Sequence, residues 1–145
     1  MRGREGASMK ADLCAKVDAV ERMTLQIEAR YPETVAEYTA RLRASIEELI
    51  GQSVDEARLL TEVAVMADRS AIAEETVRLH AHVAQLRECL QAKEPVGRRL
   101  DFLVQELNRE VNTITSKSQD VPITKLAVDM KAEIEKLREQ LQNIE

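Results

Sequence analysis

Apolar residues recur every three or four positions along most of the chain, which is the spacing of one face of an α-helix. The first series ends at Tyr31, because Pro32 disfavours helical backbone at the residue before it. A second series begins after Pro32 and ends at Gly51, a residue typical of helix C-termini. We therefore predict an antiparallel helical hairpin with a very short connection. Its apolar positions are Met9, Leu13, Val17, Val20 and Ile27, followed by Val35, Tyr38, Leu42, Ile46 and Leu49.

Two further helical patterns follow. Ser53 and Glu56 have the Ser-x-x-Glu spacing of a capping box and predict the start of a third helix. A fourth helix is predicted from about Ser70, either separate from the third or continuous with it through a bend. The segment 93–97, which contains Pro and Gly, predicts the turn that ends this helix. The apolar positions are Leu59, Leu60, Val63 and Met66 in the third helix, and Ile72, Leu79, Val83, Leu86 and Leu90 in the fourth.

The last two predicted helices have the most regular apolar faces. A helix over 97–117 carries a narrow apolar stripe, and a polar loop over 116–122 separates it from the final helix. The alternating three- and four-residue steps of the final helix are close to a coiled-coil seam, which typically packs against another helix. The two sets are Leu100, Leu103, Val104, Leu107, Val111 and Ile114, and Leu126, Met130, Ile134, Leu137, Leu141 and Ile144.

These patterns predict an all-α fold, an elongated helical hairpin or bundle of about five helices that ends in a coiled-coil-like helix. We divide the chain into the N-terminal hairpin, residues 1–51, and a helical C-terminal region, residues 52–145.

Composition narrows the function classes. The net charge of −5 argues against a charge-driven nucleic-acid binder, although it leaves room for a local basic patch. Aromatic residues make up 2% of the chain, too few for a broad base-stacking platform. Cys14 and Cys89 indicate neither a disulfide framework nor a zinc site. We see no signal peptide or transmembrane segment and expect a cytoplasmic protein.

The polar side of the helix over 97–117 is unusual, because it contains Asn and Asp, which are poor helix formers. One face offers amides and a carboxylate, and the adjacent face offers Arg and Glu. Such a surface can bind phosphate, coordinate a hard cation or hydrogen-bond to a neighbouring helix or subunit, which is the commoner use. The first face is formed by Asp101, Gln105, Asn108 and Asn112; the second by Phe102, Glu106, Arg109 and Thr113, with Glu110 between it and the apolar stripe.

The segment from Glu74 to Val83 contains both histidines. Glu75 and His82 share a helix face and could form a mixed nitrogen and oxygen metal site, which suits manganese or magnesium only in part. His80 and His82 diverge on a helix, which argues against a two-histidine ribonuclease mechanism. The simpler alternative is a helix histidine bonded to a neighbouring side chain.

Several long strings resemble one known family. "GRRLDFLVQELNREVNTITSK" followed by "KAEIEKLREQLQNIE" is similar to the C-terminal signature of the YicC-like bacterial endoribonucleases. "REGASMKADL" and "DEARLLTEVAVMADRSAIAEETVRLHAHV" resemble the same family. The resemblance implies a cytoplasmic enzyme that cuts RNA internally with a divalent cation, Mg²⁺ or Mn²⁺, and forms homo-oligomers, with hexamers expected. It also implies that an N-terminal α/β half is absent here, which leaves independent catalysis open; no DNA or membrane partner is expected.

The family motif and the chemistry of RNA hydrolysis together suggest residue roles. As catalytic residues we expect Asp101, Glu106 and Glu110. The same three carboxylates, completed by Glu75 and His82, are the expected metal ligands. The expected RNA-binding residues are Arg78, Arg98, Gln105, Asn108, Arg109, Asn112 and Lys117.

One departure from the family pattern concerns Ala71, where the family usually has Asp. That Asp is either a helix N-cap, a role that Ser70 could take here, or a metal ligand that this chain has lost.

Two other function classes stay open. The chain could be a helical oligomerisation or clamp module without chemistry of its own, which would self-associate through the Leu126–Ile144 seam. It could instead be a protein-binding adaptor, which would bind neither RNA nor metal.

Overall fold

The computed structural model describes residues 2–93 and 97–144. These residues form five helices and no strand, which confirms the all-α prediction. Within the described residues, no helix combines the length and the apolar composition that crossing a lipid bilayer requires. The helices are α1 (Arg2–Ile50), α2 (Glu56–Ser70), α3 (Ala73–Gln91), α4 (Gly97–Lys117) and α5 (Val121–Ile144).

The N-terminal hairpin prediction is wrong, because α1 is one helix of 49 residues that continues through Pro32. At a rise of ~1.5 Å per residue its length is about 73 Å. An interior proline removes one backbone hydrogen bond and crowds the preceding turn, a penalty of roughly 3 kcal/mol. Contacts of the two residues before Pro32 with other helices offset this penalty. Tyr31 donates a hydrogen bond to the carbonyl of Ala67 in α2, and Arg30 binds Asp120 at the start of α5.

Four helices enclose the core. α1 packs against α3 and α5, and α4 packs against the same two helices, so the four close into a bundle. Only the first part of α1 is in this bundle: its buried side chains end at Ile27. The second part packs against α2, and we call this pair of helices the arm. The arm is a helical hairpin, but its connection lies between Ile50 and Glu56, whereas the sequence predicted one at Pro32.

The helix boundaries correct several smaller predictions. Gly51 ends α1 as expected, with a φ of 68° and its amide bonded to the Glu47 carbonyl. The capping box at Ser53 is wrong, since Asp55 is the N-cap of α2 and accepts a hydrogen bond from the Ala57 amide. Ser70 does not begin a helix either. It ends α2, and Ile72 is the N-cap of α3 without a side-chain cap.

The connections that flank α4 are short. Residues 94–96 of the predicted turn lie outside the described residues. The loop before α5 is residues 118–120, shorter than predicted, and Asp120 caps α5 by accepting a hydrogen bond from the Ile123 amide.

The regular seam of α5 is buried inside its own chain. Met130, Ile134 and Leu137 are almost fully buried against the other bundle helices. The prediction of self-association through this seam is therefore wrong for the part of the seam that the structure describes, because α1 and α4 already cover it. The side chain of Ile144 lies outside the described part of the chain.

Candidate functional site

Three potential metal ligands converge where α3 faces α4. His82 lies in α3, and Glu106 and Glu110 lie one turn apart in α4. One ligand atom from each of the three lies within 4.8 Å of the other two. The Nε2 atom of His82 and an oxygen of Glu106 are 4.0 Å apart. We call these three residues the carboxylate–histidine cluster.

The three side chains differ in their access to solvent. Glu110 is almost fully buried, at 5% exposure, whereas His82 and Glu106 are partly exposed. The Nδ1 atom of His82 is buried and has no hydrogen-bond partner among the described residues. A buried polar atom without a partner is rare in a native protein and calls for an explanation. A cation in the cluster would bind Nε2, the nitrogen that faces Glu106, and would leave Nδ1 without a partner.

The cluster fits a divalent cation by donor type and by spacing. One imidazole nitrogen and two carboxylate oxygens form a mixed set that first-row divalent metals accept. Ligands of an octahedral ion with bonds of about 2.1 Å lie roughly 3.0–4.2 Å apart, so a small contraction of the cluster would suffice. Glu106 and Glu110 also bring two carboxylates together, so the cluster attracts a cation even though Arg78 pairs with one of them.

Arg78 is the direct partner of the buried Glu110. Its Nε donates a hydrogen bond to a Glu110 oxygen over 2.8 Å, across the interface between α3 and α4. This hydrogen bond is the main reason that the pKa of Arg78 lies above its usual value. Arg78 was expected to bind RNA, and the structure instead directs part of its guanidinium group toward Glu110.

Glu75 lies next to this group but outside the carboxylate–histidine cluster. It is 2% exposed, and one of its oxygens accepts a hydrogen bond from Lys117 over 2.7 Å. Burial alone would raise the pKa of Glu75, but the hydrogen bond from Lys117 and a further one from its own backbone hold it below its usual range. Lys117 also donates to the carbonyl of Ala71. The two residues therefore form an internal ion pair, whereas the sequence suggested a metal ligand and an RNA contact.

The amide-rich face of α4 lines a shallow depression of about 410 Å³. Arg109 is 76% exposed and lies 4.0 Å from Glu106, so it stands at the border between this face and the cluster. An oxygen of Asn108 is buried without a partner among the described residues, and Lys131 of α5 donates to Asn112. The residues that line the depression are Gln105, Asn108, Arg109, Asn112, Thr113 and Ser116.

Asp101 and Arg98 are two further expected site residues that lie apart from the cluster. Asp101 lies more than one turn before Glu106 in α4, and its carboxylate accepts a hydrogen bond from Gln105. Arg98 is exposed in the first turn of α4.

Two features were not expected from the sequence. One is the link between Arg78 and Glu110, which depends on how α3 and α4 are aligned. The other is that Phe102, the single Phe of the chain, is 56% exposed. Its place one helical turn before Glu106, on the same face of α4, was predicted by the spacing of four residues, whereas a role for its ring beside the cluster was not.

Comparisons with known proteins identify relatives over the whole chain. The model of the family described as "Endoribonuclease YicC-like, C-terminal" matches residues 27–145. A protein of Clostridioides difficile named probable endoribonuclease YicC is 44% identical over the full length of this chain, and one of Haemophilus influenzae with the same name is 38% identical. The chain spans about half the length of these relatives, 50% in both cases.

Proposed function

We propose that this chain, which belongs to the YicC-like endoribonuclease family, is the C-terminal part of an enzyme that hydrolyses phosphodiester bonds within RNA. Two relatives are named as probable endoribonucleases, and the chain covers half of each. The observation that carries the proposal is the convergence of His82, Glu106 and Glu110 within 4.8 Å between α3 and α4.

In this proposal the carboxylate–histidine cluster holds a divalent cation, Mn²⁺ or Mg²⁺. The cation, when bound, would activate a water molecule and neutralise charge on the phosphate. The chain's own contribution is to orient its ligands. Arg78 holds the Glu110 carboxylate in place, and the helix positions Glu106 one turn away from it.

The exposed residues of α4 around the cluster are proposed to bind the RNA. Arg109 offers a guanidinium group that suits a phosphate oxygen. Phe102 offers a ring on which a base can stack, a contact used by proteins that bind single-stranded RNA. Arg98, Gln105, Asn108 and Asn112 extend the polar surface along the same helix. Lys117 is not proposed to bind RNA, since its ammonium group is bound to Glu75.

We further propose that the active protein is a homo-oligomer and acts together with an N-terminal half. The described α5 seam is excluded as the subunit contact, because it is buried within the chain. Asp101 is proposed as a supporting residue that orients Gln105, with which it shares a hydrogen bond.

The test is internal cleavage of a hairpin RNA with Mn²⁺, with Mg²⁺ and with a chelator. The variants His82→Ala, Glu106→Gln and Glu110→Gln should each lower the cleavage rate by at least about 100-fold and weaken Mn²⁺ binding. Glu135→Gln, an exposed carboxylate of α5, is the matched control and should leave both unchanged. Cleavage that persists in excess chelator would remove the metal role. Loss of assembly in all three variants would favour an oligomerisation module without chemistry.

A further inference from the structure

Four charged side chains of alternating sign form a continuous row that ends at the carboxylate–histidine cluster. Lys117 donates to a Glu75 oxygen over 2.7 Å, and the same oxygen lies 3.7 Å from a terminal nitrogen of Arg78. Arg78 in turn donates through Nε to Glu110 over 2.8 Å. The row therefore runs Lys117, Glu75, Arg78, Glu110, and we call it the charge row.

The two acids of the charge row are buried, and its two bases reach solvent. Glu75 and Glu110 are 2% and 5% exposed, so neither carboxylate can rely on water to offset its charge. A buried carboxylate without a partner would strongly destabilise the fold, so each of the two acids depends on a base close to it. Arg78 is the one base that contacts both acids within the row. Arg78 lies between these two buried acids, and the exposed Glu74 lies 3.7 Å from another of its nitrogens, where solvent weakens the attraction.

Lys117 is the closer of the two bases to Glu75, at 2.7 Å against 3.7 Å for Arg78. Because Lys117 neutralises Glu75 at hydrogen-bond distance, Arg78 stays 3.7 Å away from Glu75 and gives its short hydrogen bond to Glu110. The second oxygen of Glu75 is buried and has no partner among the described residues, so this acid would accept a further donor. If Lys117 lost its charge, Arg78 would be drawn toward Glu75 and away from Glu110.

We propose that Lys117 is a positioning residue that sets the cation affinity of the carboxylate–histidine cluster through Glu75 and Arg78. The inference rests on the proposed function, since it concerns the cation of that site. Arg78 and a bound cation compete for the negative charge of Glu110. Removal of the Lys117 charge therefore tightens cation binding, yet it releases the Glu110 carboxylate from the orientation that Arg78 imposes and slows cleavage.

The charge row predicts opposite effects at its two outer members. In Lys117→Met, Mn²⁺ should bind more tightly, on the order of threefold given the partial exposure of both bases, while kcat falls and the KM for RNA stays unchanged. In Glu75→Gln, Glu110 no longer competes with a second buried acid for Arg78, and only the exposed Glu74 stays beside the guanidinium group, so Mn²⁺ should bind more weakly by a similar factor. The double variant should return the affinity toward that of the unmodified protein, because both outer charges are gone.

Calorimetric titration of the protein with Mn²⁺, together with steady-state cleavage kinetics, measures these effects. Lys136→Met is the matched control, since it removes the same charge from a Lys–Glu pair on the exposed side of α5. Lys117→Arg keeps the charge and should restore both affinity and kcat. Weaker or unchanged Mn²⁺ binding in Lys117→Met would overturn the proposal. The proposal would also be overturned if the Mn²⁺ affinity of the double variant differed from that of the unmodified protein as much as the affinities of the single variants do.

A second measurement follows Arg78 itself. The Nε–H signal of Arg78 in an NMR spectrum should shift in Lys117→Met without any cation present, and it should stay in place in Lys136→Met. If the unmodified protein binds no Mn²⁺, the metal part of the proposed function fails while this signal still reports on the charge row. An unchanged Arg78 signal in Lys117→Met overturns the charge row as a positioning device.

Discussion

Arg30 and Asp120 are 90 residues apart in sequence and form two parallel hydrogen bonds of 3.1 and 3.0 Å. Arg30 lies in the middle of α1 and Asp120 is the N-cap of α5, so the pair joins two helices beside the point where Pro32 interrupts backbone hydrogen bonding. A bidentate pair of this kind is stronger and more specific in geometry than a single contact.

Asp120→Asn should lower the free energy of unfolding by about 1–2 kcal/mol, in the range of a hydrogen bond to a charged group. The substitution removes the most buried charge partner of Arg30, which keeps its pairs with Glu33 and Glu37. The cap of α5 is retained, because Asn caps helices about as well as Asp. Urea unfolding followed by circular dichroism measures the change. Glu33→Gln removes an exposed partner of the same arginine and should cost less than about 0.5 kcal/mol. Equal effects of the two substitutions would contradict the special role of Asp120.

Stability should fall as the pH is lowered below about 4, the region of the ordinary Asp and Glu pKa values. The hydrogen bonds from Arg30 hold the pKa of Asp120 below its usual range, and Lys117 does so for the buried Glu75. Because both folded-state pKa values are lowered, their stabilisation is present above the unfolded pKa and is lost as the pH falls through the folded pKa. Urea unfolding at a series of pH values tests this, and Asp120→Asn should show a shallower pH dependence. An identical pH dependence in the variant would exclude Asp120 as a source of the effect.

Pro32→Ala should stabilise the protein by about 1–2 kcal/mol. Alanine restores the missing amide donor and relieves crowding in a helix interior, and the greater freedom of the unfolded chain offsets part of this gain. Thermal and urea unfolding measure it. Pro122→Ala is the control, because Pro122 lies in the first turn of α5, where no amide partner is lost, and it should give no gain. If Pro32→Ala lowered stability, α1 would not be helical through this residue.

Phe102→Ala should weaken RNA binding by about 1–3 kcal/mol, the usual contribution of one stacked base. The ring is mostly exposed, so the melting temperature should hardly change. Fluorescence anisotropy with a labelled single-stranded RNA measures the affinity, and Phe102→Tyr should retain it. Val128→Ala, which also removes an exposed apolar side chain, is the control on α5. Equal affinity of Phe102→Ala and the unmodified protein would remove stacking from the proposal.

The sequence predicted the helices best where the apolar stripes were regular. The stripe of α4 is buried as expected, because its six members fall on one side of the helix. The prediction at Pro32 failed for a tertiary reason: contacts of Tyr31 and Arg30 with distant helices outweigh the local preference of proline. The residues of α1 alone do not indicate that Ala67 and Asp120 will be these partners.

The sequence predicted the candidate site in part, since three of the five expected metal ligands lie together in the cluster. His82, Glu106 and Glu110 were all expected ligands, and the i, i+4 spacing of the two acids was visible in the sequence. The alignment of α3 against α4 determines which of His82, Glu75 and Asp101 lies beside the carboxylates of Glu106 and Glu110. That alignment is set by core packing between side chains distant in sequence, and it favours His82 over the other two.

The unbroken course of α1 has a mechanical consequence. The part of α1 from Tyr31 to Ile50 is about 30 Å long at the ordinary helical rise, and none of its side chains is fully buried. A tilt of roughly 10° at its base would move the tip by about 5 Å, given that length. Because the same helix continues into the core, a force that tilts the arm also reorients the part of α1 that packs against α3 and α5.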